Sequence, residues 1–473
     1  MIQSLQHVSG FDEKAFIAVH ESGDQVTSVR LNPQKDGTAN RGEKVRDNPS
    51  LLNHATGHLP PAISHLPVTT RVPWSSQGYY LSSRPSFTFD PLFHAGVYYV
   101  QEASSMFLEQ ALLQTTDVSR PLRILDLCAA PGGKSTLLQS LIHKDSLLVC
   151  NEVIKSRASV LEENIIKWGA ANTVITNNDP SHFARLENYF DVIVVDAPCS
   201  GSGLFRRDAD AINEWSENNV ALCSQRQQRI IADVWPALKQ NGILIYSTCS
   251  YSAAEDEAIA DWAMTALQAE SMPLHLPGDW HIIETRSANQ AYGYRFYPDK
   301  LKGEGFFISV LQKKNGGEFM YPKAGRRALD KPGKTATGLV MTWLNLEKDL
   351  ILFKQQEDII ALPAVLEKEI PILQSALYIK KAGIATGKLA GNDFIPDHQL
   401  ALSTLINKNI PEIALNRQEA IQYLRKEDMK ISVAQKGWAL VSYEGYPLGW
   451  IKLLPNRFNN YYPKEWRIIK QAG

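Results

Sequence analysis

From Leu122 to Leu311, short apolar runs alternate with amphipathic segments, and this repeat constrains the fold more than any other feature of the chain. The apolar runs are Leu122–Leu127, Leu147–Asn151, Thr173–Thr176, Val192–Asp196, Gly242–Ser247 and Gly305–Leu311. Their length and their Val, Ile and Leu content suit strands covered on both faces. Helical periodicity fills the gaps at Lys134–His143, Ser156–Gly169, Ile212–Lys239 and Ala254–Ala269. Strands alternating with helices wind into a parallel sheet, so an α/β, doubly wound core is predicted. The last run follows a long loop and no helix, which predicts an antiparallel strand at the sheet edge.

A chain of 473 residues exceeds one ordinary core. Residues 1–95 read as an appended lobe: a helical start at Phe11–Val19, a strand at Ser28–Pro33 stopped by Asn-Pro, and turn-rich sequence from Val72. The alternating core occupies 96–314, a linker rich in Gly, Pro and Lys occupies 315–340, and a further region runs over 341–473. That region ends in Ala439–Tyr443 and Tyr446–Lys452 joined by Glu444-Gly445, a hairpin signal, so a β-rich C-terminal domain is expected.

The net charge is −1, yet from Arg417 to Gly473 ten Lys and Arg stand against five Asp and Glu. Trp438, Tyr443, Trp450, Tyr461, Tyr462 and Trp466 are interleaved with them. Basic residues among aromatics suit a phosphate backbone and exposed bases; a β domain with an aromatic core and a solvated basic face has the same composition. No apolar run reaches 18 residues and no basic start precedes an apolar stretch. A membrane span or secretory signal is therefore not expected, and the cytoplasm is the expected location.

The five cysteines, Cys128, Cys150, Cys199, Cys223 and Cys249, are odd in number and contain no CxxC pair, which disfavours a disulfide framework and a metal site. Cys199, in Asp196-Ala197-Pro198-Cys199, and Cys249, in Ser247-Thr248-Cys249-Ser250, each follow a predicted strand. On neighbouring parallel strands both thiols would emerge at the carboxyl-end edge, where open α/β sheets bind ligands. Two thiols over one substrate suit nucleophilic chemistry with a covalent intermediate. Cys128, Cys150 and Cys223 read as small buried apolar residues.

Asp126-Leu127-Cys128-Ala129-Ala130-Pro131-Gly132-Gly133-Lys134-Ser135 joins the first strand to the first helix. Glycines there let a ligand approach the backbone, and the helix start offers free N–H groups. A P-loop is matched at Gly133-Lys134-Ser135 but has Cys128 where its first glycine belongs, and a dinucleotide G-x-G-x-x-G is absent. S-adenosylmethionine is the third possibility, with Glu152 after the second strand for ribose hydroxyls and Asp179 after the third for the adenine amine. Either acid alone can be a helix cap, but acids at three successive strand ends favour a ligand. A cofactor that donates a methyl group gives the thiols a purpose. C5 of a pyrimidine is too weak a nucleophile alone, but a thiolate added at C6 makes it enamine-like, after which loss of the C5 proton and of the thiolate restores the ring. Asp196 is placed to hydrogen-bond the N3/N4 edge.

These residues closely resemble the Sun/Fmu-type RNA cytosine-5 methyltransferases, in particular the RsmF-like ribosomal RNA branch. The resemblance rests on Cys128–Lys134, Asn151-Glu152, Asn178-Asp179, Asp196–Gly203, Ser247–Ser250, Arg295–Pro298 and Gly303–Phe307. Outside the core it extends to Arg30–Pro33, Val72–Trp74, Asp90–Ser105, Leu448–Trp450 and Asn456–Pro463, and it is least sharp over 340–400. It implies a Rossmann-like methyltransferase sheet with an N-terminal RNA-binding lobe and a PUA-like C-terminal domain. It further implies S-adenosylmethionine as cofactor, held by Cys128, Ala129, Ala130, Pro131, Gly132, Gly133, Lys134, Glu152, Asp179 and Asp196. By the same resemblance Cys249 is the nucleophile and Cys199 assists product release, an order the residues alone leave open. The expected partner is RNA, most of all small-subunit ribosomal RNA, with no DNA, no membrane and a monomeric protein. The alternatives are the same chemistry on transfer RNA and a P-loop nucleotide hydrolase. Truncation beyond about residue 320 is expected to weaken RNA binding more than cofactor binding.

Overall fold

The structure, a computed structural model, describes residues 1–35, 60–321, 329–345, 349–391, 393–430 and 436–470. Residues 322–328 of the expected linker lie outside the described residues. The N-terminal lobe holds four strands, β1 (Thr27–Leu31), β2 (Val68–Arg71), β3 (Gly78–Leu81) and β4 (Tyr98–Val100), ordered β2-β3-β1-β4. Central strands follow: β5 (Arg123–Asp126), β6 (Leu147–Asn151), β7 (Thr173–Thr176), β8 (Phe190–Asp196), β9 (Leu238–Thr248), β10 (Ala269–Ser271), β11 (Ile283–Arg286), β12 (Tyr292–Phe296) and β13 (Phe306–Lys313). Beyond them come β14 (Leu350–Gln355), β15 (Asp358–Pro363), β16 (Ile379–Ala382), β17 (Ile384–Ala390) and β18 (Asp393–Pro396). The last sheet comprises β19 (Glu412–Leu415), β20 (Gly437–Tyr443), β21 (Tyr446–Leu453) and β22 (Phe458–Asn460).

The central sheet runs β11-β12-β13-β9-β8-β5-β6-β7-β16, with β5, β6, β7, β8 and β9 parallel. Ile124, Leu125, Leu148, Val149, Val174, Ile193 and Val194 are fully buried, as strands covered on both faces require. Strand order reverses at β5, between β6 and β8, which opens a crevice at the carboxyl ends. β13 is antiparallel to β9 as expected, but it is not the edge, because β12 and β11 cover its far side. Gly293 and Arg295 dilute the apolar content of β12 and hide it as a strand. The helix expected over Ile212–Lys239 is two helices, Ala209–Glu214 and Glu217–Val234. Ser216 starts the second by accepting the Asn219 N–H at 3.1 Å, and Pro236, which has no N–H, follows its end before β9 begins.

The far edge of the sheet comes from the C-terminal region: β16 pairs antiparallel with β7. Phe353, Ile360, Leu362, Ile370 and Leu373 share one core with Leu125, Val149 and Ile193. Truncation near residue 320 would thus strip an edge strand and part of the core from the catalytic sheet. A loss of RNA binding on such a truncation would therefore be read beside the thermal stability of the remaining sheet.

β20 and β21 form the expected hairpin, with Glu444 and Gly445 both at positive φ (50° and 80°), the mirror-image turn that suits strand twist. Of the interleaved aromatics, Trp450 and Tyr462 are buried, and Val29, Leu31, Tyr79 and Leu92 of the N-terminal lobe lie in one cluster with Tyr423, Val441, Ile451 and Tyr462. Both ends of the chain therefore close on one another beside the catalytic sheet. Arg30 pins the lobe to the helix that follows β5: its buried guanidinium donates to Gln101 Oε1 (2.8 Å), Thr136 Oγ1 (2.6 Å) and the Gly133 carbonyl (3.2 Å).

Candidate active site

β8 and β9 are neighbours in parallel register, with Asp196 opposite Ser247, so the loops that leave them begin side by side. Three residues beyond Asp196 and two beyond Ser247, the sulfurs of Cys199 and Cys249 lie 3.0 Å apart, both partly exposed. The contact with Cys249, together with burial, pushes the Cys199 thiol well above its ordinary range. Asp196, with its side chain one-third exposed at 34%, accepts from Ser247 Oγ (2.9 Å) and pairs with Lys134 Nζ (2.8 Å). Burial lowers the Lys134 ammonium, but Asp196, Asp126 and Cys249 together outweigh it, so the net shift is upward. Lys134 also lies over the Phe306 ring at 5.2 Å, which brings the Gly305-Phe306 segment to the same place.

The remaining expected ligands line the carboxyl ends of β5, β6 and β7. Gly132 has φ +114°, a conformation that favours glycine, and caps the helix Gly133–Leu141, whose first turn faces the crevice end of β5. Glu152 is 2% exposed; its Oε1 accepts the Ile154 N–H (2.9 Å), and Arg157, which also donates to the Ala130 carbonyl (2.9 Å), lies 3.4 Å from Oε2. Asp179 caps the short helix Pro180–Arg185 through Oδ1, accepting from Ser181 N (3.0 Å) and Oγ (2.7 Å), and these bonds hold its carboxyl below the usual range. Asp179 thus fulfils the capping alternative, and its bonds to Ser181 all fall on Oδ1. Cys150 and Cys223 are buried, while Cys128 is partly exposed, as a loop residue near a ligand would be.

Two further groups lay within the motifs but were given no role by them. Asn151 joins three strand ends: it donates to the carbonyls of Leu127 (3.2 Å) and Asn178 (3.0 Å) and accepts from Thr176 Oγ1 (2.9 Å) and Asn178 N–H (3.0 Å). Asp126 ends β5 fully buried; Oδ2 accepts from Ser135 (2.6 Å) and Oδ1 has no hydrogen-bond partner. Burial pushes its carboxyl up to about 7. An orphaned buried carboxylate oxygen under a glycine turn fits a ligand that brings an ammonium group, as the methionine end of S-adenosylmethionine does. The ionised carboxylate is the form such a cation prefers. Affinity for S-adenosylmethionine is therefore expected to rise by up to about tenfold per unit as pH climbs toward 7, then to level off. Calorimetric titration from pH 5.5 to 8.5 checks this, and Asp126→Asn should flatten the profile; a wild-type profile that is already flat would remove Asp126 from cofactor binding.

Comparison with known proteins gives three family matches in order along the chain. Residues 45–103 match the N-terminal domain of 16S rRNA methyltransferase RsmF, residues 112–312 match 16S rRNA methyltransferase RsmB/F, and residues 410–468 match the methyltransferase RsmF PUA domain. Ribosomal RNA small subunit methyltransferase F of Shewanella loihica is 30% identical over 83% of both chains. The protein of that name in Escherichia coli K12 is 28% identical over 84% of both. The crystal structure of PH0851 has the same fold over 66% of this chain and 65% of its own, with TM-score 0.54 and 21% identity.

Proposed function

The chain belongs to the family of ribosomal RNA small subunit methyltransferase F, whose cofactor is S-adenosylmethionine, and we propose that it methylates C5 of a cytosine in small-subunit ribosomal RNA. The single observation that carries the C5 reading is the pair of thiols 3.0 Å apart at the carboxyl ends of adjacent strands. When bound, S-adenosylmethionine supplies an electrophilic methyl group. The residues of this chain do the rest. Cys249 adds as a thiolate to C6 of the base, Asp196 holds the N3/N4 edge, and C5 becomes nucleophilic enough to take the methyl group. The C5 proton then leaves to a base, the C5–C6 double bond re-forms, and the C6–S electron pair returns to Cys249. A neutral Cys199, within hydrogen-bonding distance, stabilises that departing thiolate. Lys134 pairs with Asp196 at 2.8 Å, and its positive charge faces Cys249. Cys128–Lys134 and Glu152 cradle the cofactor in this reading, with Asp179 at its adenine end.

RNA binding falls to both ends of the chain. Between lobe and catalytic domain a cleft of about 550 Å³ is lined by Arg71, Trp280, Lys300 and Lys302 among others, and Lys302 leads into the Gly303–Phe306 segment. On the C-terminal domain Trp438 meets Tyr461 at 4.4 Å between ring centroids, and Lys452 Nζ lies 5.3 Å over Trp438. Base stacking on such rings is worth about 1–3 kcal/mol, so Trp438→Ala should weaken RNA binding by roughly 5- to 150-fold. Lys452→Ala should lower the salt slope by about one. Filter binding at several salt concentrations measures both, and unchanged affinity in the double variant would take this patch out of the interface.

The decisive experiment supplies methyl-labelled S-adenosylmethionine and small ribosomal subunits from cells lacking the protein, then digests the RNA to nucleosides. Label in 5-methylcytidine is the expected result. Label in another nucleoside would overturn the C5 chemistry, and label appearing only with transfer RNA would move the substrate.

A further inference from the structure

Glu255 is 0% exposed, in the turn before the helix Glu257–Ala266. Its carboxylate accepts the backbone N–H of Ser200 at 2.7 Å, the hydroxyl of Ser200 at 2.5 Å and the hydroxyl of Ser250 at 2.6 Å. Ser200 follows Cys199 and Ser250 follows Cys249, so one buried anion ties together both thiol-bearing loops. The loops are laced further by Gly203 N–H to the Cys249 carbonyl (2.8 Å) and Tyr251 N–H to Ser202 Oγ (2.9 Å). Gln227 Nε2 lies 3.4 Å from Glu255 Oε1 and donates to the Pro198 carbonyl at 3.0 Å, which adds a third tie to the Cys199 loop.

Resting on the thiol chemistry proposed above, we propose that Glu255 is a positioning residue that makes the two thiols unequal, keeping Cys199 a neutral thiol while Cys249 carries the negative charge. Two thiolates 3.0 Å apart would repel, so the pair retains one proton between them. The neighbours decide which sulfur keeps it. The charge of Glu255 opposes ionisation of Cys199, alongside the Cys249 contact and burial, whereas the Lys134 ammonium, paired with Asp196, faces Cys249. Cys223 and Tyr246 also face the pair, both held toward their neutral forms by burial. Asp256 and Glu257 on the adjacent helix are engaged by the Arg295 guanidinium. A neutral Cys199 is the form that can hydrogen-bond the thiolate leaving C6, so the clamp suits the release step as well as the attack.

Alkylation of the full-length protein with iodoacetamide between pH 6 and 10, read at each cysteine by peptide mass spectrometry, tests this without RNA or cofactor. In the wild type Cys249 should label at lower pH than Cys199. Glu255→Gln keeps the size and can still bond the serine hydroxyls, but removes the charge. The Cys199 profile should then fall by about one pH unit, a roughly tenfold gain in labelling at fixed pH. Glu255→Asp retains the charge and should keep the wild-type order. An unmoved Cys199 in Glu255→Gln, or an equal shift in Glu255→Asp, overturns the assignment. Should thermal melting show that Glu255→Gln does not fold, Ser250→Ala cuts only the tie to the Cys249 loop. Bridging of Cys199 to Cys249 by dibromobimane should then drop several-fold, and undiminished bridging overturns the clamp. Because neither assay involves turnover, an unexpected nucleoside in the methylation experiment leaves this result standing on its own.

Discussion

Cys249→Ala is expected to abolish methyl transfer, by roughly 10⁴-fold or more in single-turnover rate, because without the C6 adduct C5 has no nucleophilic character to offer. The binding of S-adenosylmethionine should change by less than about twofold, since the proposed cradle, Cys128–Lys134 and Glu152, lies at the carboxyl ends of β5 and β6 and Cys249 is not one of its members. The fold should survive. The Cys249 side chain is only partly buried, and the backbone bond from Gly203 N–H to the Cys249 carbonyl, which holds the loop, does not involve the sulfur. Methyl transfer to ribosomal subunits and calorimetric titration of the cofactor, run on one preparation, separate the two effects. Turnover at the wild-type rate would take Cys249 out of the mechanism.

How much of this was legible in the chain depended on sequence separation. β6 and β7 begin and end where their apolar runs do, because each is a short buried strand bounded by polar residues. The juxtaposition of Cys199 and Cys249 was legible too, since the carboxyl ends of neighbouring parallel strands meet by topology alone. β16 was not. It pairs with β7, and beside that ladder Asn178 donates to the Tyr378 carbonyl at 2.9 Å and accepts the Tyr378 N–H at 2.9 Å, 200 residues away. No local periodicity encodes such a pairing.

The site itself was legible to the same degree. Glu152 and Asp179 stood out as acids after strands, but whether such an acid caps a helix or meets a ligand depends on where its lone pairs point. Asp179 caps Pro180–Arg185. Asp126 sat inside the quoted motif, yet only its burial and its orphaned oxygen give it a role. Glu255-Asp256-Glu257 carried no role of its own inside the helix expected over Ala254–Ala269, and Glu257 does occupy the first turn of the helix found there. That bland pattern hid a carboxylate turned back toward two serines on other loops. Families of residues that act through a shared partner, rather than through spacing, leave no motif behind.

Cys199→Ala should behave in the opposite way from Cys249→Ala: attack and methyl transfer proceed, and release fails. Cys249 still adds to C6, and without its neighbour the attacking sulfur loses a competing contact at 3.0 Å. What disappears is the hydrogen bond to the sulfur that must leave, so the adduct drains slowly and protein accumulates bound to RNA. A covalent species that survives denaturing gel electrophoresis and disappears with nuclease is the expected result, together with a multiple-turnover rate lowered by roughly 10²- to 10⁴-fold, the range for loss of a proton-positioning group. A burst of one methyl group per protein should precede that slow phase. The double variant Cys199→Ala with Cys249→Ala should show no adduct, which ties the trapped species to the Cys249 sulfur. A Cys199→Ala protein that turns over normally, or that stalls before the methyl group is transferred, would show that the second thiol serves the attack rather than the release, and the unequal pair would have to be read the other way round.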